Sequence, residues 1–273
     1  MGCKQATTFY TSCGVQLKIQ IDEELIPDGL DVLRKQIGAR EIASLIERTA
    51  RWTDPETFRL LPVWFPEFGR GHLFYKSSWS EPQMNTTRVS GNTIHKREGN
   101  IYANKALTFA LGLRKDERPN WSCCHIWGID DSTYQKANAV VQDRRFYSCV
   151  ANMVLLPTPL KAFTDTMPEI KAMLRICARN LYSWSCDHED MSSTNFALDG
   201  WSNWDDYPRS WPREPGAGQP LGMVKLNDTI RKSVDQRIKR ISTDYNSAGE
   251  HYPREQVLEV LRYWNIAIPG IRI

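Results

Sequence analysis

At 273 residues, with 41% hydrophobic and 25% charged side chains, the chain can bury the core of one large domain, or of one domain with a small appendage, without disulfide staples. A mean hydropathy of −0.49 and the absence of a long apolar run exclude a membrane-spanning helix. Lysine and arginine (35) barely exceed aspartate and glutamate (32), and the net charge of +3 neither demands nor excludes nucleic acid, so partners must be read from local charge.

The first twenty residues lack the basic start and continuous apolar stretch of a secretory signal, and a cytoplasmic location is expected. Met1-Gly2 resembles the start of a myristoylation signal, but position 6 is Ala6 rather than Ser or Thr, and no polybasic run lies nearby to add a second anchor. Seven cysteines without regular spacing suit a reducing compartment and are read mainly as small buried hydrophobes.

In chain order, Val32, Leu33, Ile37, Ile42, Leu45 and Ile46 recur at helical spacing between Asp31 and Arg51, and Gly38 splits them into two short helices. From Trp52 to Gly99, Pro, Gly, aromatic and basic residues predict loops and short strands. Ile101 to Leu113 reads as a helix with Gly112 at a left-handed end. Trp121 to Ile129 and Phe146 to Leu156 read as strands joined by a polar connection that contains Asp130 and Asp131.

A turn is expected from Pro157 to Thr164. Pro168 then opens a helix whose buried stripe is Ile170, Met173, Leu174, Cys177 and Leu181. Gly200 to Gly222, with four Pro, four Gly and three Trp, predicts a linker or an ordered surface crossing. Residues 224–243 form a helix carrying Arg231, Lys232, Arg237, Lys239 and Arg240, and Pro253 opens a last helix through Trp264. The organisation is therefore an N-terminal helical and loop region (1–100), a core (101–199), the crossing (200–223) and a basic helical tail (224–273), in an α+β, mostly helical and loop-rich chain.

Two segments carry the chemistry: Cys123-Cys124-His125-Ile126-Trp127-Gly128, and Cys149-Val150-Ala151-Asn152 leading into Met153-Val154-Leu155-Leu156-Pro157. Together they resemble the HNH family of nucleases, over some forty to sixty residues of the chain. The resemblance implies a ββα-metal motif in which His125 is the general base and Asn152 constrains the loop that carries it. The third motif position, nine residues after the asparagine, falls on Lys161. It further implies Mg²⁺ or Mn²⁺ as cofactor and DNA as partner, because phosphodiester hydrolysis needs a neutral imidazole to deprotonate water and positive charge on the phosphate.

The motif departs from the family at two places. Cys124, a soft and therefore weak ligand, stands where an acidic metal ligand is common, and Lys161 stands where histidine or asparagine is common. Asp165, four residues after Lys161, would share its face if that segment were helical and is the best substitute ligand, though it is equally suited to cap the helix opened by Pro168.

Cys123, Cys124, Cys149, Cys186 and His188 could also supply a structural Zn²⁺ site, but without a Cys-x-x-Cys pair buried unligated thiols are the better reading. Glu169-Ile170-Lys171 matches the Glu-x-Lys of another nuclease fold only superficially, since Pro168 makes it a helix start. Arg144 and Arg145 before the Asn152 segment, and the basic helix of the tail, are the candidate DNA contacts.

The expectation is a metal-assisted DNA endonuclease, restriction- or defence-related by family analogy, with a homodimer suited to symmetric cutting. The alternative is a non-catalytic nucleic-acid-binding protein on a degenerate HNH scaffold, which Cys124 and Lys161 favour.

Overall fold

The computed structural model describes residues 7–10, 16–19, 28–86, 91–128 and 137–272. The protein belongs to the α+β class and divides into two compact units, residues 1–38 and 39–273. In the first unit, strands β1 (Thr7–Tyr10) and β2 (Gln16–Ile19) pair antiparallel, and a short helix, α1 (Gly29–Arg34), follows. Every site residue considered below lies in the second unit.

That unit opens with helix α2 (Ala39–Thr49), which buries Ile42, Ala43 and Ile46 along one stripe, as the periodicity predicts. Strand β3 (Trp52–Thr53) leads into helix α3 (Pro55–Leu60), within a segment expected to be loops and strands. The local signals outweigh the irregular composition there: Asp54 accepts a hydrogen bond from Glu56 N at 2.9 Å, and Pro55 occupies the first turn. Strands β4 (Met84–Thr86) and β5 (Thr93–His95) pair antiparallel, and helix α4 (Ile101–Ala110) ends near Gly112, whose φ of 64° is the left-handed value expected of it.

Strand β6 (Trp121–His125) pairs antiparallel with strand β7 (Met153–Pro157), Cys123 facing Leu155 and His125 facing Met153. Between them lie short helices α5 (Ala139–Gln142) and α6 (Arg144–Tyr147) and a 3₁₀ turn at Val150–Asn152, so the strand expected from Phe146 begins only at Met153. Two polar side chains cause the difference. Asp143 starts α6 by accepting from Arg145 N at 2.8 Å, and the Asn152 amide bonds Phe146 O ahead of the turn and Trp127 N just past β6. The apolar run Met153–Leu156 suits a strand flanked on both edges, and Arg51 exchanges two backbone hydrogen bonds with Leu155 on the side away from β6.

The expected turn after β7 is helix α7 (Thr158–Thr166), started by Pro159 in its first turn. Helix α8 (Pro168–Tyr182) follows with the predicted buried stripe, stopped by Ser183 in the left-handed region at φ 50°. Its N-cap is Met167, so Asp165 does not serve as the cap.

Helix α9 (Ser192–Asp199) precedes the Pro- and Gly-rich crossing. That crossing packs closely on the unit: Tyr207 and Trp211 are buried, and Trp211 meets Trp52 edge-on at 5.6 Å. Strand β8 (Met223–Val224) pairs parallel with β3, and a Cβ on Gly222 would stand 1.7 Å from the Ala50 carbonyl, a contact only glycine permits. Helices α10 (Asp228–Ser247) and α11 (Arg254–Tyr263) complete the chain, α10 capped by Asn227 onto Ile230 N at 3.1 Å.

Candidate active site

β6, β7 and α7 follow one another as strand, strand and helix, and His125 ends the first strand at 8% exposure. Its Nε2 lies 2.8 Å from the Tyr147 carbonyl oxygen. A carbonyl can only accept, so Nε2 carries the proton and Nδ1 keeps its lone pair. Nδ1 makes no hydrogen bond among the described residues. The imidazole is thus held in one tautomer by the main chain, the arrangement a general base requires. Tyr147 stacks beside it at 5.7 Å, and its phenol donates to Glu98 Oε1 at 2.6 Å.

Asn152 is wholly buried and ties the loop to the strand. Its Oδ1 accepts from Trp127 N at 2.7 Å, its Nδ2 donates to Phe146 O at 3.1 Å, and its own carbonyl accepts from Ile126 N at 2.8 Å. The residues after His125 are gripped by two buried cations of α8 that sequence reasoning missed. Lys171 Nζ donates to His125 O at 2.6 Å, and Arg175 donates to Ile126 O and Gly128 O at 3.1 Å each. Their signal was present as two cations four residues apart inside the apolar face of α8, where a solvated charge has no place.

Burial first, then the Arg70 charge, and further on those of Lys171 and Lys161, push the His125 pKa down to about 3, while the Tyr147 carbonyl opposes them. Arg70, which donates to Asn100 Oδ1 at 2.7 Å, is a third residue that sequence reasoning did not bring to this site. Three cations from separate elements therefore raise the potential around one neutral imidazole.

No family model, curated protein or solved structure matches the chain.

Lys161 and Asp165 share a face of α7 as predicted and form an ion pair, with about a third of each side chain exposed (31% and 30%). Cys124 is buried, and its Sγ lies 3.0 Å from Thr164 Oγ1 of α7. These residues fit Mg²⁺ or Mn²⁺ poorly. Hard cations want several oxygen ligands, whereas the motif positions offer a thiol engaged by threonine and an ammonium engaged by the single carboxylate of α7. Among the described residues, no three His, Cys, Asp or Glu lie together so as to hold a metal. Asp130 and Asp131 lie outside the described residues.

The zinc candidates Cys123, Cys149 and Cys186 are free and buried. Desolvation pushes the Cys123 and Cys186 thiols up to about 12 and raises Cys149 as well, which opposes the thiolate that zinc would take.

The basic residues separate into inner and outer sets. Arg144 donates to Glu67 O at 3.2 Å, and Arg145 pairs with Asp143 at 2.6 Å while lying over Phe146 and Tyr263. Arg237 is buried and forms an ion pair with Glu67, so its guanidinium serves the interior. Arg231, Lys232, Lys239 and Arg240 are exposed on α10, Arg240 being paired with Asp244 at 2.7 Å.

Proposed function

We propose that β6, β7 and α7 form an HNH-like ββα site that hydrolyses phosphodiester bonds in DNA, with His125 as the general base. One observation carries this reading: a histidine at the end of the first strand is fixed in a single tautomer by Tyr147 O, on a loop braced by the buried Asn152 amide, with a helix following the second strand. Burial of a histidine alone does not require this combination.

In this reading a DNA phosphate approaches Arg70 and Lys161, while Lys171 and Arg175 hold the backbone after His125 from behind. The charge of the phosphate offsets the cations that depress the imidazole, so bound substrate raises the basicity of His125 toward the working pH. Nδ1 then removes a proton from the attacking water, which adds to phosphorus as the P–O bond to the leaving oxygen breaks, and the departing oxygen takes a proton from solvent. Lys161 balances the charge that develops on the phosphate oxygens. The side chains that carry the HNH likeness fit Mg²⁺ poorly, and no step is assigned to it. Arg231, Lys232 and Lys239 on α10 supply charge suited to the DNA backbone. A restriction or defence role, and a homodimer for symmetric cutting, extend the reading by analogy.

A second reading, a nucleic-acid-binding protein without catalysis, is favoured by the Cys124–Thr164 contact and the Lys161–Asp165 pair, which occupy the two positions where the family commonly holds its metal. Incubating wild type and His125→Ala with supercoiled DNA in Mg²⁺, Mn²⁺ and EDTA separates the two. Cleavage by wild type alone supports the nuclease. Salt-dependent binding by both without cleavage under any condition supports the binder.

A further inference from the structure

A cavity of about 440 Å³ away from His125 lies where α4 and α10 meet the segment between Phe65 and Gln83. The volume suits a small-molecule ligand. One wall is aromatic: Phe68 stacks on Tyr102 with centroids 3.7 Å apart and planes 12° apart, and Trp79 lies 5.2 Å from Phe68. The other wall is charged. Lys76, Lys105, Arg237 and Arg240 line it against the two carboxylates Glu67 and Asp244, four cations to two anions.

The pairing within that set decides what is left for a ligand. Arg237 is bound to Glu67, Arg240 to Asp244 at 2.7 Å, and Lys76 to Glu81 at 2.5 Å. Among the described residues Lys105 makes no ion pair, and it lies between 5.6 and 5.7 Å from the centroids of Phe65, Tyr102 and Phe109. An unneutralised ammonium over aromatic faces, with the exposed Arg240 guanidinium, which meets Asp244 through its Nε, lining the same cavity, suits a ligand that combines a flat ring with an anion.

We propose that this cavity binds a single unstacked nucleotide, its base against the wall formed by Phe68, Tyr102 and Trp79 and its phosphate on Lys105 and Arg240. Phosphate is the anion that answers both cations, and a nucleobase is a flat ring that stacks on aromatic side chains whatever its identity. Burial, then the neighbouring charges of Arg237 and Arg240, hold the Lys105 pKa below its usual value, a cost that a bound phosphate relieves. Tyr102 N donates to Glu98 Oε1 at 3.2 Å, the same oxygen that accepts a hydrogen bond from the Tyr147 phenol. The proposal does not depend on cleavage at His125.

Titration calorimetry of the full chain with deoxyadenosine 5′-monophosphate, deoxyadenosine and inorganic phosphate tests it. The expected result is saturable one-to-one binding of the nucleotide, with the nucleoside and phosphate each weaker by about tenfold or more. Lys105→Gln and Arg240→Gln should each weaken nucleotide binding by about tenfold, and Lys105→Gln, at an exposed position, should leave the melting temperature near that of wild type. Competition by a single-stranded oligonucleotide would identify a displaced strand as the source, and its absence would identify a free nucleotide. The proposal is overturned by no saturable binding, by phosphate binding as tightly as the nucleotide, or by both variants retaining the wild-type Kd. Because no cleavage is read, failure here leaves the His125 reading intact, and an inactive His125 site leaves this one intact.

Discussion

Asn152→Ala isolates the brace on the His125 loop. The wild-type amide satisfies two backbone groups, Trp127 N and Phe146 O, in a site with no solvent exposure. The two losses are unequal. Phe146 O also receives Cys149 N at 3.3 Å, whereas among the described residues Trp127 N has its partner only in Asn152 Oδ1. One orphaned buried donor costs about 1–3 kcal/mol, and the second lost bond adds about 0.5–1.5 kcal/mol, so the variant should be destabilised by about 2–4 kcal/mol. For a unit of this size each kcal/mol lowers the melting temperature by about 2–4 °C, which predicts a fall of roughly 5–15 °C. Circular dichroism melting at pH 7 reads the shift, and amide hydrogen exchange at Trp127 reads its origin. A variant that melts within about 1 °C of wild type with Trp127 still protected would refute the brace, because the predicted cost exceeds that by several-fold.

Four further outcomes follow from the same geometry. Glu67→Gln leaves Arg237 charged and buried, and denaturant unfolding should show a loss of about 3–5 kcal/mol; a loss below about 1 kcal/mol would mean the pair is hydrated. The pKa of His125 is lowered from 6.5 to about 3 and that of His72 to about 4, so on acidification the unfolded chain takes up protons before the folded one. Their contribution is complete above about pH 6.5 and is lost as pH falls toward those values, with a slope approaching about 1.4 kcal/mol per pH unit for His125, which His125→Phe should remove from a series of urea melts between pH 7 and 4.5. Lys161→Ala should change stability by less than about 1 kcal/mol, since its pair with Asp165 is partly solvated, yet lower DNA cleavage by tenfold or more. Asp165→Asn should retain cleavage, and complete loss there would assign Asp165 to a metal.

The helices were legible wherever apolar spacing and end signals agreed, as in α2, α4 and α8. α3 and α7 were hidden because both are short, and each is started by a proline that reads equally well as a turn. The apolar and aromatic run around Phe146 resembled a strand because a buried 3₁₀ turn and a buried strand need the same side chains, and only the Asn152 hydrogen bonds separate them. At the candidate site, motif spacing singled out His125, Asn152 and Lys161 with Asp165, and the last two share a face of α7. Arg70 was not accessible to the same reasoning, because its charge acts on the imidazole from more than fifty residues away in the chain and a one-dimensional motif carries no information on such proximity.

The most direct test of the account is the single-turnover cleavage rate of DNA by wild type and His125→Ala, compared at equal DNA occupancy. The account predicts cleavage by wild type and a fall of about 10² to 10⁴ in the variant with binding unchanged. Equal rates in the two proteins, or no cleavage by wild type at full occupancy, would contradict it.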